Sequence, residues 1–407
     1  MSSARPSSDC RVAIVGGGIG GLALACALEQ RGIGYRLFER SARLGEIGAG
    51  VQMTPNAVKV IRALGLLDGL KQVGFLPDSL IGRNWRSGKT LFRTPLRNAC
   101  EQLYGASFFH VHRADLHELL LSGVQQERIT LGKACQSVEQ RADGGVIHFT
   151  DGDSFRADLV VGADGIHSAV RNSLFGAQQA RFTGHMCWRA VVPFDVMPDF
   201  VSPDSSFWMG PKGHVVTYYV KGGKAVNIVA VLESRDWVEE SWNLPSSRDE
   251  LLAAFHGWHP NIQKLFQRVD TTFKWGLFDR DPMDRWSVGN VTLLGDAAHP
   301  MLPFLSQGAA MAIEDGYELA RALAAPVPVS DALQVYEASR RPRTRQVQLE
   351  SRERGRTYHL ASPLEQIMRD VSYKVRNFIN PHKGGIKANW VYEYDATAVP
   401  AATASAA

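Results

Sequence analysis

The chain has 407 residues, of which 45% are hydrophobic and 21% charged, the composition of a globular protein long enough for two domains. A net charge of +4 without a basic block gives no indication of nucleic-acid binding. The five scattered cysteines never occur in C-x-x-C spacing, which argues against a disulfide framework or a zinc site. Residues 1–9 are polar, unlike a signal peptide, and no apolar run reaches the ~20 residues of a membrane span. We therefore expect a cytoplasmic protein.

The first predicted elements form a strand, a turn, a helix and a second strand over residues 11–40. The turn carries G-x-G-x-x-G at Gly16, Gly18 and Gly21, and the second strand ends at Glu39. This order predicts a dinucleotide site, in which the glycines allow a tight turn, close approach of a pyrophosphate and close helix packing. Glu39 would accept hydrogen bonds from the adenosine ribose. The alternative is an ordinary glycine-rich turn.

Further elements of the first half follow the same strand-to-helix pattern. Glycine-rich residues 44–56 are expected either to pass close to a flat ligand or to form an ordinary loop. A strand at 108–111 leads through Arg113 into a predicted helix at 114–123, and Arg113 at this junction could pair with an acid or reach a cofactor. Strands near 129–131, 137–140 and 146–150 suggest a small meander. A buried strand then ends in a turn at Asp164 before a helix that Ser168 caps.

The second half begins with alternating, aromatic-rich segments. Residues 214–219 and 226–232 predict a hairpin in an antiparallel sheet that is inserted into the first domain. A buried strand at 291–294 leads to Asp296, and helices are predicted from Ala309, within 332–358 and at 364–378. The tail from residue 396 is low in complexity and is expected to be disordered.

Three of these motifs together resemble the class A flavoprotein monooxygenases, the para-hydroxybenzoate hydroxylase-like aromatic hydroxylases. They are the first unit, Gly-Ala-Asp-Gly at 162–165 and Gly-Asp-Ala-Ala-His-Pro at 295–300. The resemblance implies an α/β fold (α+β overall), with a Rossmann-like FAD-binding domain (10–180 and 281–380), an inserted antiparallel β-sheet substrate domain (181–280), C-terminal helices and a tail (381–407).

The resemblance also implies FAD, NADH or NADPH, O₂ and a small aromatic acid as reactants, with hydroxylation through a C4a-hydroperoxyflavin. No metal, nucleic acid or membrane is expected, and a homodimer is implied. The FAD-binding residues would be Gly16, Gly18, Gly21, Glu39, Arg40, Gly50, Val51, Arg113, Asp164, Gly165, Asp296, Pro300, Gly308 and Ala309. Taken alone, Asp164 and Asp296 could be turn or capping residues, and the small residues at 308–311 could serve only close helix packing.

On the substrate side, the chain is more similar to hydroxylases of salicylate, 3-hydroxybenzoate and 6-hydroxynicotinate. His214 and Tyr218 match a His/Tyr pair found in two of these three groups and are expected on one face of a strand. His214 would accept or orient the substrate's phenol proton, with Tyr218 as hydrogen-bond partner; the alternative is a structural histidine and a core tyrosine. Gln52 agrees with the 3-hydroxybenzoate type and Pro303 with the other two, so no subgroup matches fully.

Other functions remain open from the sequence. One is a hydroxylase of a larger aromatic metabolite, and another is a flavin reductase or halogenase relative, although the halogenase string W-x-W-x-I-P does not occur. A non-catalytic nucleotide-binding protein is the third.

Overall fold

A computed structural model of the chain describes residues 11–45, 49–196, 200–234, 244–382 and 389–398. The strands are β1 (Val12–Val15), β2 (Tyr35–Glu39), β3 (Gly50–Met53), β4 (Ser79–Asn84), β5 (Thr90–Pro95), β6 (Phe109–His112), β7 (Ile129–Leu131), β8 (Cys135–Arg141), β9 (Gly144–Phe149), β10 (Ser154–Ala157), β11 (Leu159–Gly162), β12 (Arg181–Pro193), β13 (Ser205–Gly210), β14 (Gly213–Val220), β15 (Ala225–Glu233), β16 (Leu244–Ser246), β17 (Thr272–Asp279) and β18 (Val291–Leu293). The α-helices are α1 (Ile19–Glu29), α2 (Pro55–Ala63), α3 (Leu67–Val73), α4 (Arg97–Tyr104), α5 (Arg113–Leu121), α6 (Ala169–Phe175), α7 (Arg248–Ala254), α8 (Pro260–Phe266), α9 (Gly308–Ala324), α10 (Val329–Tyr358), α11 (Pro363–Ile379) and α12 (Asn389–Glu393).

A five-stranded parallel sheet forms the centre of the first domain. Its order is β18-β11-β1-β2-β7, so strands that are far apart in the chain lie side by side. The strands β1, β11 and β18 are buried throughout, which is why their sequences are continuously apolar rather than alternating. The predicted α/β fold with a Rossmann-like domain is confirmed.

The second large sheet has eight strands in the order β16-β17-β12-β15-β14-β13-β4-β5. The predicted hairpin is β14 and β15, which pair in antiparallel register with His214 opposite Val231. Two strands of this sheet, β4 and β5, come from the first 100 residues. They join the sheet through β4, which pairs in parallel with β13. The sheet therefore extends beyond the predicted insert at 181–280.

The predicted meander is only partly correct. The strands β8, β9 and β10 form a three-stranded antiparallel sheet, but β7 pairs in parallel with β2 at the edge of the central sheet. The strands β3 and β6 form a separate ribbon. The helices α7 and α8 are separate, and Pro260 is the first residue of α8, a position that proline favours.

The eight-stranded sheet has two differently covered faces. Val215 and its neighbours on one face pack against α7 and α8 in an apolar cluster. Arg189, Val216, His214 and Tyr218 lie on the opposite face, because Arg189 pairs with Val229, which pairs with Val216. On that face the sheet meets Leu302 and Phe304, which follow β18 of the central sheet.

The C-terminal helices complete the first domain. On α10, Arg340 is fully buried and ion-paired with Glu314, Asp315 and Glu318 of α9. From the sequence, residues 381–407 were predicted to form a C-terminal tail. In the structure this segment contains α12, and Val391 and Ala396 are buried in the hydrophobic core, so part of it belongs to the folded domain. Residues 399–407 lie outside the described residues. No helix among the described residues is long and apolar enough to span a membrane.

Candidate active site

The three sequence motifs meet at the carboxyl ends of the central strands. Gly16 has φ +108° and lies so close to the carbonyl group of Ala163 that a side chain there would collide with it. Arg171, which is 1% exposed, donates to the carbonyl oxygens of Ile166 (2.6 Å) and Ala297 (3.1 Å). The first motif therefore contacts the second, and Arg171 ties the second motif to the third.

In the turn between β1 and α1, Gly18 has open space beside it, whereas Gly16 and Gly21 lie against backbone. A side chain at Gly21 would collide with the carbonyl oxygen of Gly16, whereas no atom lies within 4 Å of the position that a Cβ of Gly18 would take. Gly18 also caps the amino end of α1, where free amides and the helix dipole favour an anion. The Glu39 carboxylate accepts from the amides of Gly17 (2.8 Å) and Ser41 (2.9 Å), which fixes it beside this turn.

Asp164 caps α6 in the structure. Its carboxylate accepts from the Ser168 hydroxyl (2.5 Å) and from the amides of Ala169 (2.8 Å) and Val170 (3.2 Å). Burial raises the pKa of Asp164, while these hydrogen bonds oppose the rise. The capping role, which the sequence left open as an alternative, is therefore present. Gly165 beside it has φ +77°, and no atom lies within 4 Å of the position that its Cβ would take.

Asp296 lies at the end of β18 in a cleft that Arg113 shares. Its side chain is accessible to solvent, yet the surrounding protein is dense enough to raise the pKa of the carboxyl group. Arg113 is close enough to oppose that rise. Gly308, the first residue of α9, lies about 4 Å from the Asp296 carboxylate, measured from the position of an added Cβ. The predicted trio of Asp296, Arg113 and Gly308 is thus assembled in one place.

The remaining predicted cofactor residues come from separate segments of the chain. Gly50 is buried, donates to the Asn227 side chain (2.7 Å) and lies against the Tyr218 ring. Val51 and Ala309 are half-buried, and Arg40 is exposed near the end of β2. Pro300 is buried, and its carbonyl oxygen accepts from Gln348 on α10 (3.0 Å).

His214 is buried at 3% exposure on the face of the sheet that looks toward the central domain. Its Nδ1 lies 2.6 Å from Nε2 of His359, and its ring packs against Phe207, Phe304 and Tyr358. Burial lowers the pKa of His214 to about 3, so its imidazole is neutral near pH 7. No hydrogen bond joins it to Tyr218, which lies ~13 Å further along the strand at about 3.3 Å per residue.

The Tyr218 ring packs against the His110 ring at a tilt of 33°, with ring centroids 4.4 Å apart. Burial raises the pKa of the Tyr218 hydroxyl, and that hydroxyl forms no hydrogen bond with any described residue. His110 is fully buried, and neither of its ring nitrogens has a hydrogen-bond partner in the described part of the chain. The pair therefore places one hydroxyl and one imidazole without hydrogen-bond partners on the side of the sheet that faces the cleft.

Arg189 and His359 are the residues that sequence reasoning missed. Arg189 shares a sheet face with His214 and Tyr218, and its guanidinium lies 5.1 Å from the centre of the Trp275 ring. Its buried Nε has no hydrogen-bond partner in the described residues, and no acidic group there forms an ion pair with it. The only signal in the sequence was a charge among the otherwise apolar residues 186–192 of β12. His359 carried no signal, because it follows a long polar helix.

Comparison with known proteins agrees with this geometry. Residues 9–351 match the family described as FAD binding domain. The chain belongs to this family. It is 41% identical to a 3-amino-4-hydroxybenzoate 2-monooxygenase of Streptomyces platensis over 98% of both chains. It is 38% identical to a 6-hydroxynicotinate 3-monooxygenase of Pseudomonas fluorescens, over 84% of this chain and 90% of the relative. A salicylate hydroxylase solved with its substrate superposes with a TM-score of 0.80 at 29% identity, covering 96% of this chain and 97% of the other.

The chain is accordingly an FAD-dependent monooxygenase, an aromatic hydroxylase with NADH or NADPH as co-substrate. The residues present fit FAD. The open approach at Gly18 and the dipole of α1 suit the pyrophosphate, and the accessible carboxylate of Asp296 suits a hydroxyl donor. The amino end of α9 at Gly308 suits the electron-rich edge of a flavin.

Proposed function

We propose that this flavoprotein hydroxylates a small hydroxylated aromatic acid, bound between the FAD and the sheet face that carries Arg189, His214 and Tyr218. The observation that supports this best is the chemistry of that face. A cation without an acidic partner, a neutral imidazole and a hydroxyl without a hydrogen bond are arranged there among aromatic side chains. Such a set complements a ring with one carboxylate and one hydroxyl group.

Each of these side chains has a distinct proposed role. Arg189 binds the carboxylate, since charge-assisted hydrogen bonds are the strongest that a site of this kind offers. His214 accepts the hydrogen bond of the ring hydroxyl through Nε2, because its Nδ1 is already engaged with His359. Tyr218 donates to a second polar group of the substrate. FAD, when bound and reduced, supplies the activated oxygen, and withdrawal of the phenol proton makes the ring carbons nucleophilic toward it.

The leading candidate substrate is 3-amino-4-hydroxybenzoate, the compound named for the relatives that cover 98% of the chain. Hydroxynicotinate and hydroxybenzoates are the next candidates. The amide group of Gln52 lies at the edge of the same region, 3.5 Å from the Ser205 hydroxyl. Pro303 begins the turn that carries Phe304. These two positions are the ones at which hydroxylases of different substrates are expected to differ.

A substrate panel tests this proposal. The purified holoenzyme would be given 3-amino-4-hydroxybenzoate, 6-hydroxynicotinate, 3-hydroxybenzoate and salicylate, and the same rings without the carboxylate. We expect oxidation of NADH or NADPH to be stimulated by at least one acid and not by its carboxylate-free counterpart. Equal stimulation by both members of every pair would contradict the proposed carboxylate site.

We also propose that the enzyme acts in the cytoplasm as a homodimer that forms through α11. This helix turns its polar side inward, where Asp370 accepts from Asn84 (2.8 Å) and Asn377 accepts from the Arg93 amide (3.1 Å). Its outward side is apolar and between 51% and 89% exposed at Leu364, Ile367, Met368, Val371, Val375, Phe378 and Ile379.

The spacing of this stripe favours a second helix as the occupant. Leu364, Met368, Val371, Val375 and Phe378 are separated by four, three, four and three residues, which is the a/d spacing of a two-helix seam. The flanking residues carry both signs of charge, whereas a membrane-surface helix carries mainly basic ones. A second copy of α11, antiparallel across a twofold axis near Val371, would cover both stripes at once.

A further inference from the structure

The two imidazoles of His214 and His359 form a buried pair. Nδ1 of His214 and Nε2 of His359 lie 2.6 Å apart, and the two rings are nearly parallel at 15°. Both residues are 3% exposed. A hydrogen bond of this kind needs one protonated nitrogen and one lone pair, so the two rings share a single proton between these atoms.

A route leads from this pair toward solvent. The other ring nitrogen of His359, Nδ1, is buried and has no hydrogen-bond partner among the described residues. One nitrogen of His359, one nitrogen of His185 and one carboxylate oxygen of Glu233 all lie within 4.8 Å of one another. His185 is half-buried and Glu233 is exposed, so exposure increases along the series from His214 to Glu233.

We propose that His214, His359, His185 and Glu233 form a relay that carries the proton of the substrate hydroxyl to solvent. This inference rests on the proposed function of His214. The hydroxyl proton passes to Nε2 of His214, and the Nδ1 proton of His214 passes to Nε2 of His359. The Nδ1 proton of His359 then passes by way of His185 to the Glu233 carboxylate and to water. One proton leaves the substrate oxygen and one reaches solvent. When a proton returns along the same route, Nδ1 of His214 is protonated again and its Nε2 gives its proton back to the ring oxygen of the product, which restores both tautomers.

The surroundings of the pair favour a relay over a single base. Burial lowers the pKa of His214 to about 3 and that of His359 well below its ordinary value, so the protonated, positively charged form of either ring is unfavourable. In a relay each ring gives up one proton as it receives another, and no full charge has to persist in the buried pair. Phe304 packs edge-on against His185, His214 and His359, which holds the three rings in place.

The test compares two aromatic substitutions at adjacent positions. His359→Phe keeps a ring beside His214 but removes both relay nitrogens, whereas Tyr358→Phe keeps the packing against His214 and removes no relay atom. The readouts are kcat and KM for the best acid of the panel, the solvent deuterium isotope effect on the hydroxylation rate constant under single-turnover conditions, and the phenolate absorbance of the bound substrate.

We expect His359→Phe to lower kcat at least about tenfold with little change in KM, and to abolish the phenolate signal. Tyr358→Phe should match the wild type in all three readouts. Glu233→Gln should reduce the isotope effect without changing KM. A wild-type enzyme that forms hydroxylated product while His359→Phe retains its kcat and phenolate signal would overturn the relay and leave the proposed function intact. One equivalent of zinc in the purified enzyme, held by His185, Glu233 and His359, would also overturn it.

Discussion

The carbonyl oxygen of Gly16 fills the space that a side chain at residue 21 would need. This contact between the two ends of the glycine turn fixes how closely α1 can approach β1. Gly18, between them, has no atom within 4 Å of its Cβ position. One glycine of the motif is therefore required by the fold, and another is left open toward the cofactor.

These two glycines predict different outcomes for the same substitution. Gly21→Ala should destabilise the apoprotein by more than about 2 kcal/mol, because the added methyl group collides with backbone in a close-packed region. Gly18→Ala should leave the apoprotein's unfolding unchanged and weaken FAD binding, measured by flavin fluorescence titration. Loss of apoprotein stability in Gly18→Ala, or unchanged FAD affinity, would contradict the assignment of that space to the pyrophosphate.

Arg189 is expected to contribute to substrate affinity. Arg189→Gln should raise KM for an aromatic acid by roughly 10- to 100-fold, corresponding to a hydrogen bond to a charged group. The KM for the matching aromatic amide should change little. Arg156→Gln, an exposed arginine on β10, provides the control. If Arg189→Gln affected the acid and the amide equally, the residue would serve packing against Trp275 rather than carboxylate binding.

His110 predicts how the stability of the protein depends on pH. Burial lowers its pKa from 6.5 to about 3, so between these values the unfolded chain binds a proton that the folded chain does not. The free energy of unfolding should therefore fall as the pH falls below 6.5, by roughly 1.4 kcal/mol per pH unit for each such histidine. His110→Phe should reduce this slope in urea unfolding measured at pH 7.5, 6 and 5. Identical slopes in both proteins would show that His110 is not held neutral.

The stripe on α11 predicts a reciprocal charge experiment. Val371→Glu and Val371→Lys should each sediment as monomers, because like charges would face each other across the twofold axis. An equimolar mixture should restore dimers, since opposite charges then meet. Leu349→Glu, at a 44% exposed position on α10, is the control and should remain dimeric. A dimer that persists in both Val371 variants would place the interface elsewhere.

The sequence predicted the cofactor half of the molecule well, because its signals are local. The turn at Gly16 and the helix cap at Ser168 each depend on residues within a few positions. The strands β4 and β5 were not assigned to the second sheet, since nothing near Leu80 indicates that it pairs with Ser205.

Dependence on long-range contacts also explains why His359 and Arg189 of the candidate site were not predicted. His359 reaches His214 from a position 145 residues further along the chain, and only the docking of α10 brings the two together. Arg189 was overlooked because a charge in a strand is ordinarily a solvent-facing residue. Its significance comes from the face on which it lies, which depends on the pairing of β12 with β15.

We propose that the bound FAD and the face bearing Arg189, His214 and Tyr218 together insert one oxygen atom into an aromatic acid. The most direct measurement is turnover of the holoenzyme under ¹⁸O₂ with 3-amino-4-hydroxybenzoate and the other acids of the panel. We predict one ¹⁸O atom per product molecule, formed in proportion to the NADH or NADPH consumed. A protein that binds no flavin, or that converts O₂ only to hydrogen peroxide with every acid, would contradict the account.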